Sequence, residues 1–315
     1  MPSNQNPLGA LPARFRRERV LIVGCGDVGL RAARVLGARV RLLALSSTPA
    51  RKPELRAAGI TPLVGNLDAP ASLARLAGLA TRVLHLAPPP TEPPLAWWRD
   101  ARTLALVRAL RRRRAPAALV YGSTSGVYGD CGGARVPETR LVAPATPRAQ
   151  RRVDAERVLR FYGRSGVRVS VLRIPGIYAP DRPGGTPRER LLRRTPVLVA
   201  EDDVFTNHIH ADDLARACVL ALWRGRPQRV VHVSDDSRLR MGDYMDLAAD
   251  LYGLPRAPRV RREEAQRLLP LSLLSFMGES RQLDNTRLKR ELRLKLRHPS
   301  PATGLLSNQE QTTTG

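Results

Sequence analysis

Residues 18–36 read ERVLIVGCGDVGLRAARVL. The apolar run Val20–Val23 has strand length and stops at Gly24. Gly24-x-Gly26-x-x-Gly29 follows, and a helical spacing of apolar residues begins at once. Each glycine answers a different physical need. Gly24 permits a tight turn, Gly26 lets a phosphate approach bare backbone, and Gly29 lets helix pack closely on strand. Backbone amides at the helix start, with the helix dipole behind them, suit a pyrophosphate. Gly24, Gly26, Asp27, Val28 and Gly29 are therefore the first cofactor-binding candidates, and Cys25 reads as a small filler within the loop.

Outward from this loop, strand-length apolar runs alternate with helical stretches. Strands are expected near 20–23, 40–45, 61–64, 82–87, 117–121 and 167–174. Helices are expected near 28–37, 51–58, 70–78, 95–114 and 148–163. Such alternation implies right-handed βαβ units and a doubly wound parallel α/β sheet of the Rossmann type. Beyond about residue 175 the rhythm loosens, with a helix expected at 211–224, a strand at 229–234 and a helix at 241–252. The expected organisation is a nucleotide-binding domain over 18–175, to which 206–234 returns. Residues 176–205 and 235–303 then form a smaller substrate lobe, and 1–17 and 304–315 are loose tails.

Composition narrows the class of protein. With 43% hydrophobic and 26% charged residues in 315, wholesale disorder is excluded. No run approaches the roughly 18–20 apolar residues of a membrane span, and the first residues carry no signal-like apolar core. A soluble, cytoplasmic, globular protein is expected. Cys25, Cys131 and Cys218 lie far apart, which speaks against a disulfide framework and against structural zinc. The net charge of +25 would ordinarily suggest nucleic acid or an anionic surface as partner. However, all but three of the 53 basic residues are arginine, dispersed among abundant Ala, Leu, Pro and Gly, a pattern of GC-rich coding. Nucleic acid is not the expected partner. The densest run, Arg111–Arg114, falls at the end of an expected helix, where cations complement the dipole.

The end of the second strand bears on which dinucleotide is bound. A site for NAD usually places an acid there to accept from the ribose 2′-hydroxyl. Here the strand runs into Ser46-Ser47-Thr48-Pro49-Ala50-Arg51-Lys52, and the first acid is Glu54. Hydroxyls followed by cations favour a 2′-phosphate, so NADP is expected ahead of NAD, with Ser46 and Arg51 as its contacts.

The segment LVYGSTSGVYGD (119–130) carries a resemblance. With the glycine loop, HLAPPP (85–90), VLRIPGIYAP (171–180), HIHADDLARA (208–217) and SRQLDNTRLKREL (280–292), the chain resembles the extended short-chain dehydrogenase/reductase superfamily, which includes the NAD-dependent epimerases and dehydratases. The likeness runs from about 18 to 300 in the family's motif order. It implies that Thr124, with Ser123 before it, lies beside the reacting carbon. A Tyr-x-x-x-Lys pair on the next helix normally moves the proton and holds the ribose. Counting through Pro144–Glu156, Arg148 stands at the tyrosine position and Arg152 at the lysine position. An arginine stays protonated, so Arg148 cannot replace a phenol as a proton shuttle, whereas Arg152 can still hold ribose or phosphate as a fixed cation. The Gly-x-Gly-x-x-Gly spacing and the missing pair resemble the atypical branch of the superfamily.

The same resemblance assigns further contacts. Leu86, Ala87 and Pro88 match a cofactor-lining turn, as do Ile174 and Pro175. Asn66 and Leu67 stand where relatives contact adenine, and an amide can still meet that edge. Tyr128 is a weaker catalytic candidate, and Tyr178, His208, His210 and Arg281 are candidates for the substrate side. His85 reads as packing. Asp212 and Asp213 read as helix caps rather than as metal ligands with His208 and His210, and no metal site is expected. Relatives often dimerise through the helices here at about 95–114 and 148–163, so a homodimer is an implied partner arrangement, although both helices are rich in arginine. The first functional reading is an NADP-dependent oxidoreductase or epimerase/dehydratase-type enzyme. Its small-molecule substrate would be a nucleotide sugar or another carbonyl or alcohol. Two others stay open: a non-catalytic dinucleotide-binding redox sensor or assembly factor, and a basic protein that binds nucleic acid or a membrane surface.

Overall fold

A computed structural model describes residues 18–90 and 96–306. The expected tail at 1–17 and most of that at 304–315 lie outside the described residues, as does the first residue of the helix expected at 95–114.

Seven parallel strands form the central sheet in the spatial order β3-β2-β1-β4-β5-β7-β11. They are β1 (Arg19–Val23), β2 (Arg41–Ser46), β3 (Thr61–Val64), β4 (Arg82–His85), β5 (Ala118–Thr124), β7 (Arg168–Ile174) and β11 (Arg229–His232). Chain order reverses between β1 and β4, which places a crevice there at the carboxyl edge. The helices are α1 (Asp27–Leu36), α2 (Lys52–Ala57), α3 (Ala101–Leu110), α4 (Pro147–Gly163), α5 (Arg188–Leu192), α6 (Ala211–Arg224) and α7 (Met241–Tyr252). Three short parallel pairs lie outside the sheet: β8 (Gly176–Tyr178) with β10 (His208–His210), β9 (Val197–Leu198) with β12 (Arg259–Val260), and β6 (Arg135–Val136) with β13 (Gln282–Leu283).

The near-continuous apolar character of β1 follows from cover on both faces. Val20 and Ile22 join the core that holds Ala32, Ala33 and Leu36 of α1 and Leu214 and Leu222 of α6. Leu21 and Val23, on the opposite face, join Leu106 and Leu110 of α3 and Leu159 of α4. Each such fully buried side chain contributes about 1.5–3 kcal/mol of hydrophobic stabilisation, and this layering fixes the strand ends that carry the site.

Three expected elements are shorter or different. The helix at 70–78 is a 3-10 segment, Pro70–Leu76. The helix at 95–114 spans only Ala101–Leu110, because the Asp100 side chain accepts from the amides of Arg102 and Thr103 and so sets its start. At its other end four successive arginines repel one another and Pro116 disfavours helical backbone at Ala115, so Arg112–Arg114 lie beyond the helix. The strand at 82–87 ends at His85, where the amides of Leu86 and Ala87 both turn onto the Val23 carbonyl, at 2.7 and 3.0 Å. Among the described residues no helix is long and apolar enough to cross a membrane.

Candidate active site

A cavity of about 1290 Å³ lies at the amino edge of the sheet among Arg19, Arg41, Thr61 and Ala117. Ligands of doubly wound sheets bind at the other edge. There a smaller cavity of about 260 Å³ is lined by Gly24, Gly26, Asp27, Val28, Gly29, Leu86, Ser123, Thr124, Arg148, Arg152, Ile174 and Pro175, all singled out from the sequence. Gly122, Ile177, Arg182 and Leu214 complete it. Arg182 and Leu214 arrive from distant parts of the chain and carry no local signal.

The glycine loop has the geometry a dinucleotide needs. Gly24 has φ +85°, and a Cβ there would lie 2.3 Å from the Ala87 amide nitrogen. A Cβ at Gly29 would press within 3.2 Å of Ile22 Cγ2, so helix and strand are in close contact. A Cβ at Gly26 would meet nothing within 4 Å. That open cradle, at the N-terminus of α1, is where a pyrophosphate fits.

At the end of β5 two adjacent hydroxyls are set in opposite senses. Thr124 Oγ1 accepts from the Gly126 amide at 3.2 Å, which leaves its proton free to donate. Ser123 Oγ donates to Glu156 Oε1 at 2.6 Å, which leaves its lone pairs free to accept. Glu156 lies four residues beyond Arg152 on α4 and forms a buried two-point pair with Arg173, at 2.7 and 3.2 Å. Arg173 also donates to the Tyr128 hydroxyl at 2.6 Å. His232 Nδ1 faces the Asp284 carbonyl, which only accepts, so its Nε2 receives the Tyr128 proton at 2.6 Å. Burial drives His232 down to about pKa 3, consistent with a neutral ring. Tyr128, 1% exposed, is thus occupied within this chain of polar groups and does not line the cavity.

Arg152 donates from Nη1 to the Gly122 carbonyl at 2.6 Å and to the Tyr121 hydroxyl at 3.0 Å, while its buried Nε has no partner. Arg148, one turn earlier, reaches the cavity without a carboxylate partner. Desolvation, and then the charges of Arg152 and Arg151, lower its pKa from the usual guanidinium value. Asp27 is held by Arg31 at 2.9 Å and by Arg182 at 3.0 Å. Arg31 also binds Asp181 and Asp212, each at 2.6 Å, so one buried guanidinium ties together three segments around the loop.

On the other side of the loop, Arg51 donates to the Cys25 carbonyl at 2.8 Å and pairs with Glu54. Ser46 Oγ closes a turn with Thr48. The Asn66 side-chain oxygen accepts from the Asp68 amide, which leaves the side-chain NH2 without a partner among the described residues, and Leu67 is buried next to it. Ala87 is buried, and the Pro88 carbonyl accepts from Arg102 at 3.2 Å. None of these six lines the cavity at the glycine loop.

The substrate-side candidates are placed elsewhere. Tyr178 is 2% exposed, with its hydroxyl donating to the Ser300 carbonyl at 3.1 Å. His208 stacks on Tyr244 with ring centroids 4.0 Å apart, and burial holds it near pKa 4. His210 is the cap of α6, its Nδ1 accepting from the Asp212 amide at 3.2 Å, and it packs on His298. The capping role expected of Asp212 and Asp213 therefore falls to His210. Fully buried Asp213 instead accepts from the amides of Arg297 and His298 at 2.9 and 2.8 Å. Arg281 donates to the Gly129 carbonyl and pairs with Glu279, each at 2.7 Å. Adjacent apolar contacts, which sequence spacing does not record, turn these polar side chains inward. His85 packs as expected, with Nε2 3.0 Å from Thr103 Oγ1.

The chain belongs to the NAD dependent epimerase/dehydratase family, whose model matches residues 20–234. A functionally unknown conserved protein from Silicibacter pomeroyi DSS is similar at 26% identity, with 95% of this chain and all of that one covered and a TM-score of 0.74. UDP-glucose 4-epimerase from Thermotoga maritima, solved with UDP-glucose, shares the fold at 20% identity, with 94% and 99% covered and a TM-score of 0.75. UDP-glucuronic acid 4-epimerase from Bacillus cereus, in complex with NAD, does so at 16% identity, with 91% and 96% covered and a TM-score of 0.71. No curated protein matches the sequence.

Proposed function

We propose that this protein is a nicotinamide-dinucleotide-dependent oxidoreductase or epimerase/dehydratase-type enzyme that acts on a hydroxyl or carbonyl of a small molecule. One observation carries the reading. The open glycine cradle leads directly to two hydroxyls of opposite hydrogen-bonding sense at the end of β5. Gly24, Gly26 and the first turn of α1 would hold the pyrophosphate, and Arg152 the ribose nearest the reacting end. A bound nicotinamide supplies hydride transfer. Thr124 donates to the substrate oxygen and fixes its position. Ser123, whose own proton is held by Glu156, accepts a hydrogen bond from the substrate hydroxyl and orients it, and the proton released as hydride leaves the adjoining carbon passes to water. Ile177 and Arg182 contribute from the lobe we assign to substrate, residues 176–205 and 235–303.

NADP is the preferred dinucleotide in this reading, because Arg51 sits against the glycine loop at the end of β2, where an adenosine 2′-phosphate would replace Glu54 as its partner. Calorimetric titration of nucleotide-free protein with NADPH and NADH tests this. Micromolar binding with NADPH preferred is expected, followed by hydride transfer in a screen of carbonyls, alcohols and nucleotide sugars. Binding of neither would overturn the reading. Among the described residues no tyrosine or histidine lines the cavity, which favours a second reading, a dinucleotide-binding protein without turnover. Tight cofactor binding with no hydride transfer across the same screen would select it.

A further inference from the structure

Three arginines, Arg148, Arg152 and Arg182, line the cavity at the carboxyl edge, against a single carboxylate, Asp27. Asp27 is already shared by Arg31 and Arg182. The positive charges are divided along the cleft. Arg182 stands at the glycine loop, where a dinucleotide brings its own phosphates. Arg148 and Arg152 stand at the far end, beside Ser123 and Thr124, on successive turns of α4 and so on one face. Arg152 is anchored by the Gly122 carbonyl and the Tyr121 hydroxyl, both neutral acceptors, and makes no ion pair among the described residues, although the buried carboxylate of Asp100 lies close enough to feel its charge. Arg148 has no hydrogen bond or ion pair among the described residues. Of the two acids on α4, Glu156 is consumed by Arg173 and Ser123, and Asp154 accepts from the Asp100 amide. Arg148 is exposed and Arg152 buried, and two like charges one turn apart on a helix favour an anion that joins them.

We infer that Arg148, supported by Arg152, is the receptor for an anionic group of the substrate, a carboxylate or a phosphate ester, placed next to the reacting carbon. The inference rests on the proposed cofactor site: there Arg152 holds the ribose nearest the reacting end, and Arg148, one turn earlier on α4, is left for the substrate. It gives Arg148 a specificity-determining role, and it selects acidic substrates over neutral ones that present only hydroxyls. Arg suits this task better than Lys, since its planar fork meets two oxygens of one oxyanion at once.

The reduced cofactor is itself a local reporter. Protein saturated with NADPH would be titrated with inorganic phosphate, with malonate and with neutral glycerol at constant ionic strength, reading bound nicotinamide fluorescence. A saturable response to at least one anion and none to glycerol is expected. Arg148→Gln should weaken that response by about tenfold or more, the effect of losing one charge-assisted pair of hydrogen bonds, with NADPH affinity changed less than about twofold. A stronger response to phosphate marks a phosphate ester, and a stronger response to malonate a carboxylate. With NADPH bound, the absence of any anion response, or an equal response in Arg148→Gln, would overturn the inference and leave the cofactor reading intact. Failure to bind NADPH would overturn both.

Discussion

Gly24 and Gly26 are two residues apart, but the structure sets them opposite fates on substitution. At Gly24 an added methyl meets the Ala87 nitrogen at 2.3 Å and the Ala87 Cα at 2.6 Å. Ala87 cannot retreat, because its amide is tied to the Val23 carbonyl. The φ of +85° adds about 1–2 kcal/mol for any residue with a Cβ. Gly24→Ala should therefore lose about 3 kcal/mol or more of folding stability once the clash is included. At Gly26 the φ of −83° suits any residue and the methyl meets nothing. Gly26→Ala should stay within about 0.5 kcal/mol of wild type in stability. Its methyl occupies the space through which a phosphate reaches backbone amides, each such bond being worth about 1.5–3 kcal/mol. Losing one raises the cofactor Kd by roughly 10- to 150-fold. Urea unfolding and NADPH fluorescence titration of both variants give the two readouts. A stable Gly26→Ala protein that binds NADPH with unchanged affinity would refute the placement of the pyrophosphate.

Arg51→Ala should lower the preference for NADPH over NADH by about tenfold, measured by calorimetry, while its solvent-screened pair with Glu54 keeps the stability change small. Glu156→Gln leaves Arg173 buried without its counter-ion and should cost about 3–5 kcal/mol in urea unfolding, most of it recovered in Glu156→Gln/Arg173→Met. If the single variant unfolds like wild type, the buried pair is not an important support of β5 and α4. Burial holds His85 and His232 down to about pKa 3, and His208 and His210 down to about 4. Their folded values lie below the unfolded value of about 6.5, so their contribution is complete above that pH and is lost as pH falls through the folded values. Below about pH 6 the four together should steepen acid destabilisation toward on the order of 5 kcal/mol per pH unit, and a shallow urea-midpoint profile between pH 6 and 4 would contradict this. Asp235 has the opposite sign: burial raises it to about 7, so its favourable neutral form is lost as pH rises through that value. Asp235→Asn should therefore gain stability over wild type at pH 8 and lose the advantage below about pH 4, a difference readable in thermal melts.

The parallel sheet was legible because β1, β5 and β7 carry long apolar runs, and because α6 and α7 match their expected spans of 211–224 and 241–252. Gly24, Gly26, Ser123, Thr124, Arg148 and Arg152, singled out from the sequence, line one cavity because the first five sit at strand ends or a helix start and Arg152 follows Arg148 by one turn. Tyr178, His208 and Arg281 do not. Their surroundings come from Ser300, Tyr244 and Gly129, residues distant in the chain, and an apolar ring or a carbonyl partner leaves no mark on local spacing. Glu156 was visible only as part of a frame. Its role depends on Ser123 and Arg173 meeting it across β5 and β7.

The three short strand pairs outside the main sheet join residue 135 to 282, 176 to 208 and 197 to 259. Asp213, likewise, waits for the amides of Arg297 and His298. These contacts outside the main sheet are thus completed by segments made well after the glycine loop. A nascent chain would carry β6, and then the carboxylate of Asp213, without these partners until the residues near 282 and 297 are made. Folding of the nucleotide cradle and completion of the surrounding lobe then become separate events in time, the second slowed by its long-range closures.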